Sequence, residues 1–93
     1  MAIPKYKKHM KYFVYVLYNI SSGRFYVGFT LDLERRLIEH KNSKLSHRNK
    51  DFNPVLIEIY YNEQDALKRE KYFKSSKRKS TLRAMLRYTL ETV

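Results

Sequence analysis

One carboxylate stands where an amphipathic helix should be apolar. In a helix opening after Asn62, the apolar positions Ala66, Leu67 and Phe73 recur at helical spacing. At about 100° per residue, Glu70 falls about 40° from Ala66 and within the same stripe. An unpaired charge in such a position is costly to bury. Glu70 is therefore salt-bridged to a neighbour such as Arg69, Lys71 or Lys74, bound to a metal ion, or set at the mouth of a cleft. The same geometry over residues 33–41 places Arg36 about 60° and His40 about 20° from Leu33, one turn apart at the border of the apolar face. A guanidinium and an imidazole sharing that edge can both reach a phosphate lying against neighbouring strands. The plainer alternative pairs Arg36 with Asp32 one turn earlier. Arg35 points the opposite way and is an internal control. Tyr15 and Tyr26 stand eleven residues apart. Their phenols either project toward one helix edge, where they can hydrogen-bond a phosphate oxygen or a water, or simply pack.

These side chains need a scaffold, and the pattern supplies one. Residues 12–18 and 24–29 are β-branched and aromatic, and Asn19, Ser21, Ser22 and Gly23 between them carry turn chemistry, which predicts a β-hairpin. Thr30 is placed to cap a first helix that has Asp32 and Glu34 near its start and an apolar stripe of Leu33, Leu37 and Ile38, ending near residue 40 or 41. A polar loop over residues 41–53 leads to Pro54. The alternation of Val55, Ile57, Ile59 and Tyr61 with Leu56, Glu58 and Tyr60 then predicts a third strand, apolar enough to be central. Asn62 followed by Asp65 resembles a capping box and opens the helix that carries Glu70. A last helix begins at Ser80 or Thr81 on Leu82, Met85, Leu86, Thr89 and Leu90, with Arg83 and Arg87 on its other side. The order is β-β-α-β-α-α, an α+β fold with a small three-stranded antiparallel sheet flanked by helices.

Composition narrows the chemistry. Ninety-three residues, 43% of them hydrophobic, amount to about one small domain, with one modest core. Twenty Lys and Arg against nine Asp and Glu leave a formal charge of +11, an excess typical of polyanion-binding surfaces. The charge is concentrated at the ends: the middle, residues 13–67, is neutral, while residues 1–12 and 68–93 are strongly basic, with aromatic residues interleaved. With no cysteine there is no disulfide framework, no thiolate zinc site and no thiol nucleophile, and a reduced cytoplasmic setting is the default. His9, His40 and His47 lack metal-ligand spacing. Two glycines cannot build a phosphate-cradling loop, and no nucleophile elbow is present. The Lys-rich start and the apolar residues 12–20 resemble neither a signal peptide nor a membrane span, because three tyrosines and Asn19 interrupt the run and no small-residue cleavage site follows.

Together these positions resemble the GIY-YIG endonuclease family, named for two strand motifs. Phe13-Val14-Tyr15 occupies the first and Tyr26-Val27-Gly28 the second, at the family's separation. Thr30, Leu33-Glu34-Arg35-Arg36 and His40 continue its helix pattern, and Ala66-Leu67-Lys68-Arg69-Glu70 matches its glutamate-bearing helix. The likeness spans about residues 12–76. It is nearest to stand-alone, single-domain members related to the nuclease domain of the excision-repair subunit UvrC, with a basic arm over residues 1–11 and a basic helix over residues 77–93. The resemblance implies hydrolysis of DNA phosphodiesters, with Glu70 holding one Mg²⁺ or Mn²⁺ and Arg36 neutralising the scissile phosphate. Tyr15 or Tyr26 would position or deprotonate the attacking water, and His40 would assist. Gly28 would permit close approach of the second strand to the helix or substrate. Such roles suit the reaction, which needs an activated water, a counter-charge for the pentacovalent phosphate and help for the leaving oxygen. Thr30, Lys68, Lys74, Lys77, Arg78, Lys79 and Arg83 are the expected backbone contacts. The expected partner is DNA, branched or damaged forms included, with RNA open, bound by a monomer or weak homodimer and without a membrane.

The chain also departs from the family. Phe13-Val14 stands in place of Gly-Ile, no DNA-binding domain is expected to follow, and the Asn often found after the metal-binding helix is missing, since the last Asn is Asn62. That last departure motivates the alternative of a non-catalytic nucleic-acid-binding module on the same fold.

Overall fold

The computed structural model describes residues 10–42 and 52–93. The first part of the expected basic arm, most of the 41–53 loop, His9, His47 and the side chain of Lys77 lie outside the described residues.

The hairpin forms as its turn residues dictate. Strand β1, Tyr12–Asn19, and strand β2, Arg24–Thr30, pair antiparallel. The turn closes through Gly23 N–H on the Asn19 carbonyl (2.8 Å) and Ser22 N–H on Asn19 Oδ1 (3.0 Å). Gly23 takes φ +70°, a left-handed conformation that side chains other than glycine adopt at a cost. Strand β3, Phe52–Tyr60, joins the other edge of β1, so the sheet order is β2-β1-β3.

Strand β1, and not β3, is thus central. The reason lies in what each strand can bury on two faces. Val14, Tyr15, Val16 and Leu17 are all at most 2% exposed, whereas β3 carries Glu58 on one face and leaves Ile57 and Ile59 exposed on the other. Pro54, expected to precede the strand, lies within it, opposite Leu17 at a register shift between Val16 and Leu17. An edge strand tolerates proline at such an irregularity because its outward N–H needs no partner.

Alternation divides the sheet. Val14, Val16 and Val27 pack on Ala66, Phe73, Leu82 and Leu86, with Tyr12, Phe25, Phe29, Leu56 and Tyr60 around them. This apolar face is covered by helix α2, Glu63–Lys74, then a 3₁₀ turn, Ser76–Arg78, helix α3, Lys79–Met85, and helix α4, Arg87–Thr92. The last expected helix is therefore two short ones, broken at Leu86, whose φ −108° and ψ 20° leave the helical region while its side chain stays in the core. The other face of the sheet carries Tyr15, Leu17, Tyr26 and Gly28 and meets helix α1, Leu33–Asn42.

Two caps position the helices. Asn62 caps α2, its Oδ1 accepting from Gln64 N–H at 2.9 Å. At α1 the cap is Asp32 rather than Thr30: Asp32 Oδ1 accepts from Arg35 N–H at 3.2 Å, while Thr30 ends β2 and its hydroxyl accepts from Asp32 N–H at 3.1 Å. Helix α2 is also tied to β3. Glu58 accepts from Arg69 Nε (2.9 Å) and Nη2 (3.1 Å) and from the Tyr60 hydroxyl (2.7 Å), and the Arg69 guanidinium lies 4.2 Å from the Phe73 ring centroid. Such a two-pronged, partly buried pair sets the azimuth of a helix more firmly than an exposed one.

Candidate active site and nucleic-acid interface

The hairpin register brings the two tyrosines together. Tyr15 pairs with Gly28 and Leu17 with Tyr26, so Tyr15 and Tyr26 are diagonal neighbours on one face, with ring centroids 6.3 Å apart. Gly28 is what makes room. A Cβ at that position would fall inside the Tyr15 ring, so the phenol lies across the backbone of β2 only because no side chain is there. The close approach expected of this glycine is therefore to Tyr15, not to a helix.

Helix α1 delivers the two remaining groups from adjacent turns. Arg36 Nε donates to the Tyr15 hydroxyl at 3.2 Å, and His40 Nε2 lies 3.1 Å from the same oxygen. The His40 ring also meets the Tyr26 ring edge-on, with centroids 4.8 Å apart. Arg36 is held from the other side by Glu39, at 3.2 Å, rather than by Asp32; Arg35 takes Asp32 at 3.6 Å and shares Glu39 at 2.9 Å. Arg35 points into solvent, as the wheel expected of the control. Tyr15, Tyr26, Arg36 and His40 thus form one cluster.

The electrostatics of the cluster follow from burial. The Tyr15 side chain is fully buried, and desolvation holds its phenol above the ordinary tyrosine pKa against the pull of Arg36. His40 is held below its ordinary value, first by burial and then by the Arg36 charge, with Glu39 opposing. The Arg36 guanidinium is held still more firmly protonated by its bonds to Tyr15 and Glu39 and by the neighbouring Tyr26 hydroxyl. An arginine can only donate, so the Tyr15 oxygen accepts from it. With His40 neutral and its hydrogen on Nδ1, the Tyr15 hydroxyl donates a hydrogen bond to Nε2. Tyr26, 38% exposed, is the phenol of the pair that reaches solvent.

Glu70 projects from α2 with its side chain 19% exposed, and its Oε2 receives Lys74 Nζ at 3.0 Å. Of the three basic neighbours that could pair with this carboxylate, Lys74 is the one in contact. Among the described residues, no hydrogen bond or ion pair joins Glu70 to the tyrosine cluster. Of the expected backbone contacts, Lys68, Lys74 and Lys79 are exposed. Arg83 spans sixty positions of sequence to donate to the Gly23 carbonyl at 2.9 Å, and Arg78 stacks 4.3 Å from the Tyr72 ring centroid. Thr30 is buried and engaged with Asp32. Sequence reasoning missed Glu39 and Glu58. Glu39 had a legible signal, three and four residues after Arg36 and Arg35; Glu58 had none until its strand found α2.

A family model for the GIY-YIG catalytic domain matches residues 11–83. The chain belongs to the GIY-YIG family. Its GIY-YIG domain is 42% identical over 64 residues to a UPF0213 protein of Bacillus pumilus, a match covering 69% of this chain and 61% of that relative, so the chain spans less than two thirds of it. A UPF0213 protein of Staphylococcus epidermidis is 34% identical over 76 residues, 78% of this chain and 92% of the relative. The solution NMR structure of a UPF0213 protein from Bacillus halodurans superposes with a TM-score of 0.54 at 27% identity, over 82% of this chain and 85% of that one. The matched model is that of a catalytic domain, and GIY-YIG domains are nuclease domains. Among the described residues no helix is long and apolar enough to cross a membrane.

Proposed function

We propose that this GIY-YIG domain is a Mg²⁺-dependent endonuclease that hydrolyses DNA phosphodiesters. The observation that carries the reading is the Tyr15 hydroxyl held between Arg36 Nε and His40 Nε2, beside the exposed Tyr26. Arg36 is a fixed cation whose guanidinium has five N–H donors, of which one goes to Tyr15 and one to Glu39, leaving others for a phosphate oxygen as charge builds on it. A phenol with a raised pKa is a weak base on its own. Tyr15 therefore acts by orienting: it fixes Arg36 and passes a hydrogen bond to His40, whose lowered pKa keeps it neutral and able to take a proton near pH 7. Tyr26 is the group placed to hold the incoming water.

The donor set suits a hard cation that keeps most of its water. Among the described residues no three His, Asp or Glu side chains converge, so Glu70 would be the protein's one carboxylate ligand, with water and substrate phosphate completing the shell. Bound there, Mg²⁺ would supply Lewis-acid stabilisation of the phosphate and the leaving oxygen. Lys74 pairs with the same carboxylate, which offsets the burial of its charge.

The test is nicking of a supercoiled plasmid with Mg²⁺ or Mn²⁺ against EDTA, with folding checked for every variant. Wild type is expected to nick, and Glu70→Ala is expected to bind DNA and give no product. Wild-type rates from Glu70→Ala would remove the metal assignment. Nine basic against two acidic side chains over residues 68–93 favour a second reading, a non-catalytic nucleic-acid-binding module. Salt-sensitive binding with no product from wild type under any metal would select it.

A further inference from the structure

A cavity of about 280 Å³ opens on the other side of the sheet from the tyrosine cluster, between the start of β2 and the junction of α2 with α3. Its floor is apolar, from Phe25, Val27, Phe73 and Leu82; its rim carries Arg24, Lys74 and Lys79, with the Ser75 and Ser76 hydroxyls between them. No carboxylate lines it. Lys74 reaches back one turn to Glu70. Among the described residues, neither the Arg24 nor the Lys79 side chain has a hydrogen bond or ion pair. Three cations gathered round one hollow repel one another, and of the three only Lys74 has a carboxylate partner among the described residues.

We propose that this groove is a second phosphate subsite, which holds a backbone phosphodiester of the nucleic-acid substrate away from the scissile bond. The inference rests on the nucleic-acid reading of the proposed function. The chemistry of the groove specifies the occupant: an anion with several acceptor oxygens satisfies Arg24, Lys79 and the serine hydroxyls, while the apolar floor accepts the adjoining sugar. Arg24 reaches the groove from the turn end of β2, far along the strand from Gly28. A strand seated there therefore runs past the Glu70 turn of α2, and Lys74 stands between the two. Backbone phosphates contacted at the groove position the substrate and carry no base information.

The experiment is binding of a labelled DNA duplex followed by anisotropy in EDTA over a range of salt. It compares wild type, Arg24→Gln/Lys79→Gln, and a control, Lys71→Gln/Arg87→Gln, that removes the same charge outside the groove. Two lost phosphate contacts reduce the slope of log affinity against log salt by about 1.8, at ~0.9 per contact. The groove pair is expected to show that reduction with a loss of tenfold or more in affinity, and the control a smaller change in both. The charge-keeping pair Arg24→Lys/Lys79→Arg is expected to retain the wild-type slope, which separates phosphate contact from a folding defect. Equal losses in groove and control variants would overturn the subsite, as would a lost slope in the charge-keeping pair. Plasmid nicking by wild type is read in parallel. Nicking with an unchanged groove-variant slope removes the subsite and leaves the nuclease; the expected slope change with no nicking removes the nuclease and leaves the subsite.

Discussion

The two faces of the sheet are built to opposite rules. On the α2–α4 face, Val14, Val16, Val27, Ala66, Phe73, Leu82 and Leu86 are buried and apolar, and the charged residues that cross it, Glu58 and Arg69, satisfy each other. On the α1 face the helix has no buried residue, and what lies beneath it is a phenol, a guanidinium and an imidazole bonded around one oxygen. Burial on the first face supplies stability. Around the buried Tyr15, the second face carries Arg36, His40 and Tyr26 at partly exposed positions, where Arg36 still has donors left for a ligand. A domain this small has little core to distribute, and its apolar burial is concentrated on the α2–α4 face.

Four perturbations break or sharpen that contrast. The largest effect belongs to the packing face: Phe73→Ala should lower unfolding free energy by about 3–5 kcal/mol, measured by denaturant titration, because it removes a ring 3% exposed. Next comes Gly28→Ala, where the added methyl meets the Tyr15 ring. Overpacking of this kind costs about 1–3 kcal/mol, and the displaced phenol should take nicking activity with it. Ordinary activity and stability in Gly28→Ala would mean that Tyr15 is not held as described.

Titration separates the faces further. His40 is half-buried and its neutral form is favoured, so its contribution to stability is complete above the ordinary histidine pKa of about 6.5 and is lost as pH falls through that value toward the lower folded one. Tyr15 works in the opposite sense: its contribution is complete below the ordinary tyrosine value and is lost as pH rises past it toward the higher folded one. Denaturant titrations across pH should therefore show an acid loss in wild type that is absent from His40→Asn. The smallest effect is expected of Arg35→Ala. Its ion pairs are exposed and worth at most about 1 kcal/mol, and nicking should stay at the wild-type rate, whereas Arg36→Ala should lose about 100-fold or more.

Much of the site was legible because its signals are local. Arg36 and His40 share an edge by virtue of helical period, and Glu70 stands out in its stripe for the same reason. The order of elements and the α2 cap at Asn62 were legible on the same grounds. Tyr15 and Tyr26 were different. With nine tyrosines in the chain, neither position is distinguished until the hairpin register makes them diagonal neighbours. The central position of β1 was also hidden, because β3 has an equally apolar alternation and only pairing on both edges tells the two strands apart.

What the sequence determined by itself is therefore whatever depends on residues a few places apart: the hairpin turn at Gly23, the helix that aligns Arg36 with His40, the motif residues that mark the family. Tertiary structure alone decided that Gly28 receives the Tyr15 ring, that Glu58 locks α2 through Arg69, that Lys74 sits on Glu70 in preference to Arg69 or Lys71, and that Arg24 shares a groove with Lys79. Those outcomes turn on register, helix azimuth and rotamer. Each is settled by which distant surfaces bury together, a competition that no local spacing records.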